Sequence, residues 1–196
     1  MTLYHNAVAV LRGWTAPDPR ADSDRRRILE FLAGAPGGML RQHAGGHVTA
    51  STVIVDAAAE RVLLCLHGKI RKWVQLGGHC EEPDTDLAAA ARREATEESG
   101  IGGLLLSAHP IGVDIHRVRC GGGALHYDVR YAALAPAGAV AAVSAESAAL
   151  GWFAPDALPT PLADATEGVV GPALNWARSL RCGAGDPAAG VRPPSA

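Results

Sequence analysis

The segment from Gly77 to Ile101 constrains this chain more than any other. A double glycine, a loop dense in carboxylates and an alanine-rich helix former follow one another up to a further glycine. Gly77-Gly78 closes the apolar run Trp73-Val74-Gln75-Leu76, and the loop then carries Glu81, Glu82, Asp84 and Asp86. Residues 86–98 have strong helix propensity, and Gly100 stops them. On a helix Glu94 stands beside both Glu97 and Glu98, so three carboxylates crowd one face. Like charges at these spacings cost roughly a few tenths of a kcal/mol per pair, so the face needs either bulk water or a cation. The alanines allow the helix to lie close on a sheet. Converging hard oxygen donors suit Mg²⁺ or Mn²⁺ better than zinc, and Mg²⁺ keeps places for waters and substrate phosphates.

Around this segment the hydrophobic period is that of strands. Residues 48–56 and 61–67 are β-branched or apolar runs joined by a short link, and they read as a pair. Further strands are predicted at 104–106, 111–119, 124–134 and 150–153, with Cys120-Gly121-Gly122-Gly123 as the turn between the second and third. The alanine-rich residues 135–149 read equally as loop or helix. The first twenty residues end in Trp14–Arg20, where two prolines within three residues argue against regular structure. Asp22-Ser23-Asp24 then offers caps to one short helix with Ile28, Leu29, Phe31 and Leu32 on a face, closed by Gly34. A helical stripe runs over 169–181, with Pro172 near its first turn. The expected organisation is an N-terminal extension with one helix (1–45), a central domain (46–160), a packing helix (161–182) and a mobile tail (183–196).

A chain of 196 residues is long enough for one domain with a sizeable core, and with aromatics at 5% the burial must come from Leu, Val and Ile. A formal charge of −2 offers no global field for a nucleic-acid duplex or an anionic membrane, so any polyanion is met locally. No apolar run reaches membrane-spanning length, and Ala7–Leu11 is too short and lacks the basic lead of a secretory signal. Cys65, Cys80, Cys120 and Cys182 fall at no zinc-ribbon or redox spacing and read as reduced thiols of a cytoplasmic protein.

The stretch from Gly78 to Ile101 resembles the Nudix box, G-x5-E-x7-R-E-U-x-E-E-x-G-U, where U is aliphatic. Its second half, Arg93-Glu94-Ala95-Thr96-Glu97-Glu98-Ser99-Gly100-Ile101, matches at each fixed position apart from the small Ala95 at the first U. The first half is one residue longer than the pattern. Counting from Gly78 puts Asp84 at the first acid, counting back from Arg93 puts Thr85 there, and Pro83 stands where glycine is common. The resemblance implies an α/β fold, a Nudix-type α/β/α sandwich with a mixed β-sheet and here an N-terminal helical extension. It implies a hydrolase that splits a pyrophosphate bond in a nucleoside diphosphate linked to another group. It further implies Mg²⁺ or Mn²⁺ on Glu94, Glu97 and Glu98, with Arg93 ion-pairing inside the motif and Gly78 and Gly100 shaping its ends. The proton acceptor is not fixed in the family: Glu94 is one candidate and Glu146, shortly before residues 150–153, another. The partner is then a small phosphorylated, nucleotide-derived molecule, and a homodimer is compatible with the sequence. A non-catalytic ligand-binding or regulatory module and a prenyl-diphosphate isomerase are the alternatives on the same fold, and the intact acid set favours hydrolysis.

Several other residues have two readings. Lys69, Arg71 and Lys72 precede the strand that delivers Gly77-Gly78 and could reach substrate phosphates, or form a plain exposed turn. His79 adjoins the metal loop and is a candidate for touching substrate or metal. Trp73 and Tyr127 could stack on a base, but in a chain so poor in aromatics they are expected in the core. A Cys₂His₂ zinc site from Cys65, His67, His79 and Cys80 is conceivable but matches no known spacing. His116 and His126 read as hydrogen-bonded sheet residues, and Arg25-Arg26-Arg27 as a solvated helix face.

Overall fold

The run Gly46–Val55 is buried at every position, which a strand can be only where both faces of its sheet are covered. It forms β1, the centre of the computed structural model, which describes residues 1–118, 124–143 and 147–183. Along one edge β1 pairs in parallel with β7 (Leu125–Leu134) over its full length, from Gly46↔Leu125 to Val55↔Leu134. Its other edge divides. The half nearer the N-terminus pairs antiparallel with β4 (Leu76–His79), and Ile54 and Val55 pair with β2 (Val62–His67). β2 continues outward to β3 (Trp73–Val74) and β8 (Ser147–Phe153), while β7 carries β5 (Leu105–Leu106) and β6 (Gly112–Arg117) on its far edge. The result is a mixed sheet of eight strands.

Side-chain alternation splits β1 between two cores. Val48, Ala50 and Ile54 face α3 (Leu87–Ser99), whereas Val53 and Val55 face α4 (Glu167–Gly183). Ala90, Ala91 and Ala95 of α3 are fully buried, and Thr52 Oγ1 reaches the Ala91 carbonyl at 3.1 Å, so the small side chains do bring helix and sheet into close contact. The α/β/α sandwich with a mixed sheet is thus the observed architecture.

The N-terminal residues differ from expectation. A helix, α1 (Leu3–Gly13), precedes the prolines, with Thr2 Oγ1 accepting from the His5 amide. Pro19 does not end regular structure; it opens α2 (Pro19–Gly34) at the helix's first position, where its missing N–H costs nothing. Asp18, not Asp22-Ser23-Asp24, caps that helix, its Oδ1 accepting from Ala21 N at 2.9 Å. Asp22 and Asp24 pair instead with Arg25, Arg26 and Arg27. A 3₁₀ turn over Pro36–Met39 leads into β1. Residues 135–143 contain neither helix nor strand, and Pro172 lies in the second turn of α4. The Cys120–Gly123 turn, Glu146 and the tail beyond residue 183 lie outside the described residues. Among the described residues no helix is long and apolar enough to cross a membrane.

Candidate active site at the junction of β4 and α3

Three features fix where the acids sit: β4 on the edge of β1, the loop that follows it, and α3 lying across both. Asp86 caps α3, accepting from Ala89 N at 2.8 Å, and Asn6 Oδ1 from α1 accepts the Leu87 amide at 3.0 Å. At the other end Gly100 takes the left-handed conformation, φ +69°, and its amide donates to the Thr96 carbonyl.

Arg93 is the hub of the loop. Its guanidinium donates to both oxygens of Asp84 (3.1 and 3.0 Å), to the His79 carbonyl (2.9 Å), to Glu94 Oε1 (3.0 Å) and to Glu97 Oε2 (3.1 Å). Asp84 also accepts from the Glu81 amide, so Asp84 and not Thr85 closes the loop; Thr85 is exposed and bonds Asp86. Burial pushes the Asp84 carboxyl up, but Arg93 and the Glu81 amide outweigh it and hold the group below the usual carboxylate range. The same hydrogen bonds to Asp84 raise Arg93 above an ordinary arginine.

Glu98 and Glu94 reach back to the double glycine. Glu98 Oε2 accepts from the Gly77 amide at 2.8 Å. The Glu94 carboxylate lies over Gly78, where a Cβ would come within 2.7–2.9 Å of its carboxyl atoms. Gly77 itself has φ +149° and backs onto Ser51, so no other residue fits there without strain. Glu97 is the exposed member of the set. Thus the structure brings together Gly78, Arg93, Glu94, Glu97 and Glu98, with Asp84 behind them.

The remaining candidates lie elsewhere. Lys69 and Arg71 are exposed on the β2–β3 turn, and Lys72 Nζ engages Asp164 at 3.2 Å. Tyr127 stacks on Phe31 with ring centres 4.0 Å apart and is a core residue, whereas Trp73 is half-buried and packs edge-on against Phe153 at the margin of the core on the α4 side. The Cys₂His₂ arrangement is not assembled. Cys65 and Cys80 belong to the core on the α3 side, and burial pushes their thiols up to about 11 and about 12. The ring of His79 lies across the sheet from them with His47 and His126, the one metal-capable cluster of His, Cys, Asp and Glu found among the described residues. His116 is hydrogen-bonded as expected, to Asp114 Oδ2 at 2.8 Å. His126 differs: its Nε2 is buried without a partner, and its neighbours across the strands are also histidines. Burial, and next the His79 ring, pushes His47 down to about 4; burial, and next the His47 ring, pushes His126 down to about 3. Sequence reading missed His47 because the signal lies in strand register, not in spacing.

A mixed sheet between helices, with a glycine-led loop and an arginine-organised acidic helix on one edge, defines a class of fold and site. Comparison with known proteins agrees. The NUDIX domain family model matches residues 45–173. A NUDIX-family hydrolase from Clostridium perfringens superposes with TM-score 0.55 at 26% identity, covering 68% of this chain and 97% of its own. The NUDIX domain of Shewanella oneidensis NrtR, solved with ADP ribose, gives TM-score 0.56 at 20% identity over 75% of this chain and 96% of its own. E. coli dihydroneopterin triphosphate pyrophosphohydrolase gives 0.53 at 18% identity, covering 63% and 91%. No match is found among curated protein sequences. The chain belongs to the Nudix family, and its likeness to a hydrolase of that family supports the same class of enzyme.

Proposed function

We propose that the protein hydrolyses a nucleoside diphosphate linked to a further group, with a divalent cation held by Glu94, Glu97 and Glu98. The observation that carries this reading is the convergence of Glu94 and Glu98 on the backbone of Gly77-Gly78. The donor set fits the ion: it is all oxygen, as Mg²⁺ or Mn²⁺ requires, and the missing side chain at Gly78 makes room for a carboxylate against the loop. A bound divalent cation would neutralise phosphoryl charge, lower the pKa of a water and orient its attack on phosphorus.

The chain's own residues do the rest. Arg93 fixes Glu94 and Glu97 through one oxygen of each, and Asp84 and the His79 carbonyl fix Arg93 in turn. The Gly77 amide orients Glu98. Glu94, half-buried at the loop, is the candidate among the described residues to accept the proton from the attacking water. Glu146, the other candidate base, keeps its place as a proposal from the sequence. The nucleotide-derived substrate class is supported by the neighbours of the same fold that are solved with ADP ribose or act on dihydroneopterin triphosphate.

The test is phosphate release from nucleotides, nucleotide sugars and dinucleotides with Mg²⁺ or Mn²⁺, comparing wild type with Glu98→Gln. Glutamine keeps an acceptor for the Gly77 amide but removes the charge. Turnover is expected to fall by about 100-fold or more, the scale on which one charge-stabilising group acts, with the melting temperature unchanged. Unchanged turnover would falsify the metal assignment.

A further inference from the structure

Three histidines that the acidic site does not use meet on the sheet face opposite α3. His47 comes from β1 and His126 from β7, and they are register partners across the parallel pair. His79 ends β4 opposite Thr49, two residues along β1 from His47 and on the same face. One ring nitrogen of each lies within 4.8 Å of the other two. Ring centres are 4.8–5.3 Å apart, and the planes are inclined by 44–87°, so the rings fan around a common point and do not stack. His47 is only 6% exposed and neither of its ring nitrogens has a hydrogen-bond partner; Nε2 of His126 is buried in the same condition. Buried polar atoms are nearly always paired, so the unpartnered nitrogens of His47 and His126 call for a ligand, and one nitrogen of each ring, with one from His79, lies close enough to share it.

We infer that His47, His79 and His126 form a three-imidazole site for a borderline transition-metal dication of the Zn²⁺ class, separate from the carboxylates of α3. Imidazole suits Zn²⁺ and its neighbours in the series, whereas Mg²⁺ requires oxygen, so the two sites select different ions. Three histidines leave a fourth position open to water or another ligand. Zn–N bonds of about 2.1 Å place nitrogens about 3.4 Å apart in a tetrahedron, so the rings need to close by at most about 1.4 Å, which side-chain rotation supplies. Burial favours the neutral form of His47 and His126, the form that ligates. His79 and His126 are half-buried, which gives an ion its way in. Beside the cluster, His116 packs edge-on against His126, with its Nδ1 held by Asp114.

The experiment uses the full chain stripped with a chelator and titrated with Zn²⁺, and with Co²⁺ as a spectroscopic substitute. One equivalent of Zn²⁺ is expected to bind and to raise the melting temperature. Co²⁺ is expected to give the intense visible bands of tetrahedral, nitrogen-rich ligation, and the Glu94→Gln/Glu98→Gln double variant is expected to retain them. His47→Ala/His126→Ala is expected to weaken Zn²⁺ by more than about 100-fold, beyond the cost of losing an outer partner. The inference is overturned if Co²⁺ gives only the pale spectrum of octahedral oxygen ligation, or if the bands vanish in the glutamine variant and persist in the histidine variant. Should the histidine variant not fold, the wild-type and glutamine-variant spectra decide by themselves. Because activity is not the readout, failure here leaves the hydrolase reading untouched, and failure of that reading leaves this one.

Discussion

Gly77 and Gly78 stand side by side and are glycines for different reasons. At Gly77 a side chain would meet backbone: its Cβ would lie 2.4 Å from Ser51 Cα, at φ +149°. At Gly78 it would meet only the end of a flexible side chain, the Glu94 carboxylate. Displacing a carboxylate costs little stability but moves the group on which the chemistry depends. Gly78→Ala is therefore expected to keep the melting temperature within a few degrees while lowering turnover by about 10–100-fold, since misplacement by an ångström suffices for that. Gly77→Ala is expected to lower the melting temperature itself. Thermal melts and steady-state rates on the two variants separate the cases, and equal behaviour would show that Glu94 is not held where the backbone of Gly78 leaves room for it.

Between β4 and α3 the loop is centred on the Arg93–Asp84 ion pair, whose pH dependence follows from the direction of the Asp84 shift. Asp84 is held below its usual pKa of 3.8 in the folded chain, so its contribution is present above that value and lost as pH falls through the folded pKa. Asp84→Asn is expected to cost about 2 kcal/mol at pH 6, as for a hydrogen bond to a charged group, and to flatten the loss of stability between pH 4 and 2 relative to wild type. Urea unfolding across that range checks both, with Asp22, Asp56 and Asp114, also held low, contributing to the slope that remains. This element was legible in the sequence because its information is local: the spacing of Arg93, Glu94, Glu97 and Glu98 is the helix's own period. The choice between Asp84 and Thr85 was not legible, since it depends on how the lengthened loop folds back on Arg93. The histidine cluster was still less so. His47, His79 and His126 are brought together by pairings between β1, β4 and β7, and no spacing along the chain encodes which strand lies beside which. Helix α1 was hidden by prolines that act after it.

At the scale of the whole molecule the N-terminal helices are not an appendage. The family model begins at residue 45, but the core beneath α3 takes in Ala7, Leu11, Ile28, Leu32 and Met39 together with Val48, Tyr127 and Val129. α2 packs over β6, Phe31 stacks on Tyr127, and Asn6 supplies the acceptor at the start of α3. One apolar cluster shared in this way should unfold as one unit. Leu32 is fully buried in it, so Leu32→Ala is expected to cost about 2–5 kcal/mol through lost burial and the cavity left behind. The informative readout is where that cost appears. If the helices belong to the cooperative unit, amide hydrogen exchange in β1 and β7 speeds up by the same free energy as in α2. If they were a separate layer, exchange would rise in α1 and α2 alone while the central strands kept their protection, and the acidic helix would owe its position to the sheet without help from residues 1–45.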